Sequence, residues 1–149
     1  MEIVPFDIEH YEDCWLMGLE FFSTTKYKHQ HPDKASVYAM FNLCRSSGIS
    51  FVAVDESLNP IGMLLAIVDG LWINKDVKVS QEVMWWVDEE YRNTSAGMRL
   101  IKEYEIACED SGISYIGMNL LSTSQERLKD WLARKGYEQM ETSFVKEIV

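Results

Sequence analysis

The spacing of apolar residues along the chain predicts alternating helices and strands. In several stretches apolar residues recur about every 3.6 positions, which is typical of helices with one buried face. The first of these stretches has Ile8, Tyr11, Trp15, Leu19 and Phe22 on its apolar face. Other stretches are runs of β-branched and aromatic residues, which are typical of strands. The predicted helices span about 8–22, 33–47, 95–110 and 123–135, and the predicted strands span 2–4, 50–54, 61–68, 78–87, 114–120 and 137–148.

Several helix ends carry local signals. Asp33 is placed to cap the second helix, and Gly112 follows the third as a stop. Thr123 and Glu126 have the spacing of a capping box at the start of the fourth helix. The predicted apolar face of the second helix is Val37, Met40, Phe41 and Cys44.

The order of these elements predicts the fold class. The runs 50–54 and 61–68 flank a turn that contains Asn59-Pro60, which is typical of an antiparallel hairpin. The run 78–87 would be the third strand of this meander. The full order, β-α-α-β-β-β-α-β-α-β, predicts an α/β fold (a mixed α+β arrangement) with a central, mostly antiparallel sheet flanked by helices. No linker or repeat interrupts the chain, so we expect a single domain over residues 1–149.

Strict alternation along 78–87 would divide this strand between two faces of the sheet. Glu82 would then share a face with Met84 and Trp86. The full predicted sets are Val79, Val83, Trp85 and Val87 on one face, and Lys78, Ser80, Glu82, Met84 and Trp86 on the other.

The charge balance limits the classes of partner. The chain has 24 acidic and 14 basic residues, a net charge of −10. Nucleic-acid binding depends on Lys and Arg side chains that neutralise phosphates, so this balance argues against DNA or RNA as the main partner. A negative field favours a cationic acceptor such as an amine, although the same charge also serves solubility alone.

Nothing in the sequence predicts a membrane span or a secretory signal. The longest apolar run, 61–68, is too short to cross a bilayer, and the N-terminus lacks the regions of a signal peptide. Cys14, Cys44 and Cys108 are far apart, which fits neither a disulfide framework nor a zinc site. His29 and His31 have no ligand partners nearby in sequence, so we expect a surface loop and no metal. We expect a cytoplasmic protein.

The segment 85–100 joins the end of a strand, a loop of small polar residues and a helix start. The first N–H groups of a helix have no partner within it, and together with the helix dipole they favour a phosphate. The small residues Ser95, Ala96 and Gly97 would let backbone approach such a ligand closely. The alternative is an ordinary helix start capped by Thr94 or Ser95.

Two motifs in this segment carry a resemblance to a known family. Arg92-Asn93-Thr94-Ser95-Ala96-Gly97 resembles the pyrophosphate loop of the GNAT superfamily of N-acetyltransferases, with Ser95 where the first glycine usually stands. Val87-Asp88-Glu89-Glu90-Tyr91-Arg92 is similar to the family's Val-x-Pro-x-Tyr-Arg approach, with Glu89 in place of the proline. The resemblance spans almost all of the chain, which looks closest to GNAT proteins carried by bacteriophages.

The resemblance implies that the chain binds acetyl-CoA. The pyrophosphate would lie on the loop that starts the third helix. The pantetheine arm would lie between the strands 78–87 and 114–120, where it pairs with the open edge of the first. The cofactor-binding residues that follow from the resemblance are Val87, Arg92, Asn93, Thr94, Ser95, Ala96, Gly97, Met98 and Gln125. Asn119, at the end of the strand that faces Glu82, is a further candidate for cofactor binding.

Direct acetyl transfer needs a base that takes a proton from the attacking ammonium group. Glu82, on the strand that leads into the loop, is the candidate, and burial beside Met84 and bulky tryptophans would raise its pKa. One alternative is a solvent-facing Glu82 paired with Lys75 or Lys78. In another register the base falls on Gln81, and a bulge near the strand end would reconcile the two registers.

The resemblance leaves the acceptor open. It implies a primary amine on a small molecule or a protein, with Phe22, Tyr27 and Trp86 as candidate substrate-binding residues, and a homodimer is common in the family. The family often has a tyrosine in the last helix that protonates the leaving thiolate, but Leu132 occupies that position here. An alternative function is therefore a CoA-binding or protein-interaction module with weak or no catalysis. Acylation of a modified nucleic-acid base is a third hypothesis, which the negative charge disfavours.

Overall fold

Five strands and four helices lie in residues 1–124 and 126–149, the part of the chain that this computed structural model describes. The chain forms two compact units, Met1–Asn119 and Leu120–Val149, and a single domain over residues 1–149 stays a prediction. Single 3-10 turns occupy Ile8–His10 and Glu89–Tyr91. The regular elements are β1 Glu2–Pro5, α1 Tyr11–Ser23, α2 Lys34–Ser46, β2 Phe51–Val54, β3 Pro60–Leu71, β4 Asn74–Val87, α3 Ala96–Asp110, β5 Tyr115–Gly117 and α4 Glu126–Arg134.

The strands form one sheet in the order β1-β2-β3-β4-β5. The neighbours from β1 to β4 are antiparallel, so the predicted hairpin and meander are confirmed. β5 pairs with β4 in parallel, which makes the sheet mixed. Helices α1 and α2 pack on one face of the sheet and α3 packs on the other. The predicted fold class is therefore confirmed.

An apolar cluster fills the space between the sheet and the pair α1 and α2. Its members recur every three or four residues along each helix, the spacing that places side chains on one helical face. Removing these side chains from water is the main favourable term on this side of the sheet. The helices contribute Tyr11, Cys14, Met17, Phe41 and Cys44, and the strands contribute Val52, Val54, Met63 and Leu65.

Two predicted helix positions are wrong and one predicted cap is confirmed. Ile8 belongs to the turn before α1 and is 61% exposed, because the buried helix face begins at Tyr11. Met40 is 38% exposed on α2, one position outside the buried face. The Asp33 carboxylate accepts the Ser36 N–H at 3.1 Å, as a cap does. Among the described helices, none combines the length and the apolar character needed to cross a bilayer.

Helix α3 buries Leu100, Ile101 and Tyr104 against the opposite face of the sheet. The Tyr104 hydroxyl donates a hydrogen bond to the Ser80 hydroxyl, with the two oxygens 2.7 Å apart. Because Ser80 lies on β4, this bond identifies the side of β4 that points toward α3.

β4 contains a β-bulge at Val83. Leu65 of β3 pairs with Met84, and the next residue of β3, Ala66, pairs with Glu82. Val83 is therefore an extra residue on β4 with no partner on β3. An extra residue resets the alternation of side chains, so positions before and after it no longer follow one pattern.

The bulge corrects the predicted faces of β4. Ser80 points toward α3, and Glu82 has the same parity as Ser80. Met84 and Trp86 instead pack against the cluster formed with α1 and α2. The prediction that Glu82 shares a face with Met84 and Trp86 is therefore wrong.

The last predicted strands also differ from the structure. The strand predicted at 114–120 is formed only at Tyr115–Gly117, because the chain stops pairing with β4 there. The described residues of 137–148 form no strand, and Phe144 and Ile148 are 94% and 80% exposed. A strand needs a neighbour for its N–H and C=O groups, and an alternating sequence alone does not supply one.

Gly48 lets the chain after α2 lie directly against β3. It forms an isolated bridge to Ile67, and a Cβ built on it would overlap the Ala66 carbonyl oxygen and lie 2.6 Å from the Cys44 carbonyl oxygen. We expect Gly48→Ala to lower the free energy of unfolding by about 3 kcal/mol, because backbone atoms on both sides must move. Urea unfolding measures this loss.

Gly18→Ala on α1 is the matched control for Gly48→Ala. The nearest atom to a Cβ at Gly18 is the Met84 sulfur, at 3.9 Å. We expect a gain of about 0.5–1 kcal/mol there, since alanine favours a helix interior. Equal unfolding free energies for the two variants would contradict the close approach at Gly48.

Candidate functional site

The candidate site lies where β4 and β5 stop pairing. Their parallel ladder ends at the pair Gln81 and Gly117. Just beyond it, the Asn119 N–H donates to Glu82 Oε2 at 3.1 Å, and Asn119 Nδ2 donates to the Glu82 carbonyl oxygen at 3.4 Å. In the described part of the chain, residues 82–87 have no strand partner on this side of β4.

Glu82 is a buried carboxylate, with 4% of its surface exposed. Burial raises its pKa to about 7, an effect that the hydrogen bond from the Asn119 N–H only partly offsets. The direction is the one predicted from the sequence. A solvent-facing Glu82 paired with lysine is wrong, since Lys75 Nζ lies 4.0 Å from Asp69 Oδ1 and Lys78 Nζ donates to the Lys75 carbonyl oxygen.

Gln81 borders the same strand end. Its Nε2 donates to the Glu82 carbonyl oxygen at 3.3 Å, and its side chain crosses Gly117 so closely that a Cβ there would overlap the Gln81 amide. From the sequence, one register of β4 placed the base at Glu82 and the other placed it at Gln81. The bulge at Val83 is the irregularity by which these two registers differ. Both residues therefore lie at the end of the ladder, and the buried carboxylate is that of Glu82.

Helix α3 begins without a side-chain cap from its N-cap residue. Ser95 makes no capping hydrogen bond, and the Ala96 N–H instead donates to the Thr94 hydroxyl at 3.2 Å. The N–H groups of Gly97 and Met98 have no acceptor among the described residues. N–H groups left over at a helix start, together with the helix dipole, suit an anion.

This helix start is accessible to a ligand and sits directly on β4. Loop residues 93–95 are exposed. A Cβ built on Gly97 would lie 3.5 Å from the Trp85 ring and 3.7 Å from Val87. The end of β4 and the first turn of α3 therefore form one continuous surface.

Arg92 folds back onto β4. Its Nε donates to the Val87 carbonyl oxygen at 2.9 Å, and its guanidinium lies 4.4 Å from the centre of the Trp86 ring. The hydrogen bond and the cation–π contact hold the side chain in one place. Two predicted cofactor-binding residues, Val87 and Arg92, are thus bonded to each other.

A groove of about 720 Å³ opens beside Trp86. Burial, followed by the charges of Glu20 and Glu90, raises the pKa of Asp88 in its wall. The acidic side chains outnumber the Arg92 guanidinium, so the groove favours a cation. Its lining residues are Glu20, Ser23, Thr24, Trp86, Asp88, Glu89, Glu90 and Arg92.

Sequence reasoning missed three residues around this groove. Phe21 meets Trp86 edge to face with ring centres 6.0 Å apart, whereas the helical period had favoured its neighbour Phe22. The buried face of α1 begins at Tyr11 and not at Ile8. Counting from Tyr11 in steps of three or four residues reaches Phe21 and would have favoured it. Glu20 and Asp88 carry no sequence signal of their own, because acidic residues are ordinary on a surface.

The remaining predicted site residues are not brought to the groove. Phe22 is half-buried and Tyr27 is 58% exposed, and neither lines the groove, whereas Trp86 does. Gln125 lies outside the described residues, and Leu132 is buried on α4. No group of three His, Cys, Asp or Glu side chains in the described ranges is arranged to hold a metal ion.

The model of the acetyltransferase (GNAT) family matches residues 9–139, and the chain therefore belongs to this family. The family uses acetyl-CoA as its acyl donor. The comparison with curated proteins gives no match. Nothing tests the predicted likeness to bacteriophage proteins, which stays a prediction.

Solved structures share this fold at low sequence identity. An aminoglycoside acetyltransferase from an uncultured soil metagenomic sample, in complex with sisomicin, is 15% identical with a TM-score of 0.75, over 99% of this chain and 96% of that chain. Glucosamine-6-phosphate N-acetyltransferase from Arabidopsis thaliana is 13% identical with a TM-score of 0.72, over 99% and 98%. AAC(6')-Iy, in complex with the bisubstrate analogue CoA-S-monomethyl-acetylneamine, is 16% identical with a TM-score of 0.72, over 99% and 97%.

The described residues fit the chemistry of coenzyme A. The Gly97 and Met98 N–H groups suit the negative charge of a pyrophosphate. The edge of β4 at 82–87, which has no strand partner among the described residues, suits an arm that contains amide groups.

The raised pKa of Glu82 predicts a pH-dependent stability. The folded carboxyl titrates at about 7 instead of its ordinary 4.5, so the unfolded chain releases this proton more readily and stability falls as the pH rises between these values. We expect Glu82→Gln, which cannot ionise, to gain about 2–3 kcal/mol relative to the parent protein between pH 5 and pH 8. Urea unfolding of both proteins at the two pH values measures this gain. A difference that does not change with pH would contradict it.

Proposed function

We propose that this acetyltransferase transfers an acetyl group from acetyl-CoA to a primary amine by direct attack in a ternary complex, with Glu82 as general base. The observation that carries the proposal is the buried Glu82 carboxylate at the place where β4 and β5 part. A buried carboxylate costs stability, because its charged form loses hydration, whereas an apolar residue at the same position would not. Carboxylates in such positions are therefore candidates for a functional role.

Glu82 has the properties that a base for an amine needs. A primary amine is protonated near neutral pH and cannot attack until it loses a proton. When bound, acetyl-CoA supplies the thioester whose acetyl group is transferred. Glu82 takes one proton of the ammonium group directly or through a water molecule. The freed nitrogen attacks the thioester carbon and the carbon–sulfur bond breaks, while the second proton that the nitrogen loses passes to the leaving thiolate or to solvent. A pKa of about 7 lets Glu82 both accept and release a proton at neutral pH.

For the cofactor we assign the start of α3 and the adjoining edge of β4. Gly97 and Met98 offer N–H groups to the pyrophosphate, and the exposed loop 93–95 leaves them accessible. Arg92, held by the Val87 carbonyl oxygen, adds positive charge near this loop. The overall charge of −10 makes such local positive groups important for an anionic ligand.

For the acceptor we infer a cationic amine. The groove beside Trp86 is predominantly acidic, and the negative field of the whole chain steers cations toward it. One structural relative, an aminoglycoside acetyltransferase, is in complex with sisomicin. Glu82 lies on the other face of β4 and does not line the groove, so the groove would bind a cationic group of the acceptor other than the amine that reacts. An acceptor with several cationic groups, such as a basic aminosugar or a polyamine, fits this arrangement better than an anionic amine does.

A second candidate function, CoA binding without efficient catalysis, rests on Leu132. Leucine cannot protonate a leaving sulfur, and Leu132 stands where the family often has a tyrosine. A thiolate is a weak enough base to leave without protonation by an acid, since the pKa of a cysteine thiol is only about 8.5. The buried base at Glu82 therefore favours the catalytic function.

Glu82→Gln tests the base. We expect the turnover number to fall about 100-fold or more, while the dissociation constant of acetyl-CoA stays unchanged. The parent turnover should rise with pH and level off above about 7, as the Glu82 carboxyl loses its proton, and the variant should lack this limb. Thiol release from acetyl-CoA, measured with sisomicin, glucosamine 6-phosphate and spermidine as acceptors, gives the turnover number and its pH dependence. Calorimetric titration gives the dissociation constant of acetyl-CoA. Full turnover in the variant would remove Glu82 from the mechanism.

Ser95→Asp tests the cofactor site in two directions at once. An aspartate at the N-cap would place a negative charge at the positive end of the α3 dipole, so we expect the free energy of unfolding to rise by about 0.5–1 kcal/mol. The same carboxylate would compete with pyrophosphate, and we expect acetyl-CoA to bind about tenfold more weakly in calorimetric titration.

Ala35→Asp is the matched control for Ser95→Asp. It adds the same charge to the exposed first turn of α2. Because this turn lies outside the proposed site, acetyl-CoA affinity should stay at the parent value. Equal affinity losses in the two variants would show a general charge effect and count against a site at α3.

A further inference from the structure

Asn119 makes a two-point contact with Glu82 just beyond the end of the β4–β5 ladder. Its N–H donates to Glu82 Oε2 at 3.1 Å, and its side-chain Nδ2 donates to the Glu82 carbonyl oxygen at 3.4 Å. The last backbone pair, Gln81 and Gly117, lies immediately before. Side-chain groups thus continue the connection between the strands after the backbone pairing has ended.

The two bonds restrict the Glu82 side chain together. The bond to the carbonyl oxygen fixes Asn119 relative to the backbone of β4, and the N–H of Asn119 then fixes Oε2. Among the described residues, Asn119 is the hydrogen-bond donor to this carboxylate. Glu82 is only 4% exposed, so bulk water does not readily replace the bond. With Oε2 bound, Oε1 is the oxygen left to receive a proton.

We propose that Asn119 is a positioning residue that holds the Glu82 carboxylate in one orientation and acts on the reaction only through Glu82. This inference rests on the proposed function, in which Glu82 is the base. It differs from the sequence-based expectation that Asn119 binds the cofactor, because its side-chain amide is already used on the Glu82 carbonyl oxygen. A base displaced by a fraction of its hydrogen-bond length loses much of its effect, which gives the contact its importance.

Two variants of Asn119 test the positioning role. Asn119→Ala removes the anchor on the carbonyl oxygen while keeping the N–H, and Asn119→Asp keeps the shape but removes the donor. We expect each to lower the turnover number about 10- to 100-fold with the best acceptor among sisomicin, glucosamine 6-phosphate and spermidine. The acetyl-CoA dissociation constant, measured by calorimetry, should stay within about twofold of the parent value.

Asn74→Ala is the matched control. Asn74 Oδ1 accepts the Asp76 N–H at 3.1 Å at the start of β4, away from the candidate site. The chemical change is the same as in Asn119→Ala, and turnover should stay at the parent value.

A double-mutant cycle separates positioning from other roles. In the Glu82→Gln background there is no base to position, so adding Asn119→Ala should cause no further loss of turnover. An equal loss in both backgrounds would mean that Asn119 acts independently of Glu82 and would overturn the inference. A weaker acetyl-CoA affinity in Asn119→Ala would overturn it in favour of a cofactor contact.

The same experiments distinguish the two levels of proposal. If Glu82→Gln keeps full turnover, Glu82 is not the base, and the proposed mechanism and the positioning role both fail. If Glu82→Gln loses turnover while both Asn119 variants keep it, only the positioning role fails. If the variants at both positions lose turnover, the losses are not additive and acetyl-CoA affinity is unchanged, the proposed mechanism and the positioning role are both supported.

Discussion

The end of the parallel ladder between β4 and β5 is the constraint on which the candidate site depends. A strand edge that loses its partner leaves N–H and C=O groups that must bond to something else. At this edge they bond to side chains: Asn119 donates to the carbonyl oxygen of Glu82, and Arg92 donates to that of Val87. The unpaired backbone thus gathers a carboxylate, an amide and a guanidinium along a few residues of one strand.

The bulge at Val83 determines which side chains meet at this strand end. Without the extra residue, Glu82 would lie on the face of Met84 and Trp86, among the side chains that pack toward α1 and α2. With it, Trp86 forms the wall of the acidic groove while Glu82 bonds toward β5. One inserted residue therefore turns Glu82 away from the face of Trp86 and toward the end of the β4–β5 ladder.

Sequence predicted the features that depend on near neighbours. The Asp33 cap and the hairpin around the turn at 55–60 are set by residues a few positions apart, and both are confirmed. A bulge near the end of β4 was considered as a way to reconcile two registers, but its position escaped prediction. Large side chains fill both faces of β4 after it, so a period of two gives no sign of an extra residue. The candidate base was recognisable as a carboxylate in an apolar strand, but its bond to Asn119 spans 37 positions, and no local pattern encodes such a contact. The strands predicted at 137–148 failed because alternation shows which residues share a face and not whether a neighbour exists.

Two departures from good local structure occur side by side, and their coincidence argues for function more strongly than either does alone. A buried carboxylate costs stability whenever it ionises, and an uncapped helix start forgoes a favourable hydrogen bond. A sequence selected for stability alone would place an apolar residue at Glu82, and its N-cap side chain would bond to the first turn of α3, which that of Ser95 does not. Such departures are expected where a protein must bind or react, because unsatisfied groups are the ones free to engage a ligand. One of these groups suits an ammonium proton and the other a phosphate. The proposed transfer of an acetyl group from coenzyme A to an amine requires both kinds of group.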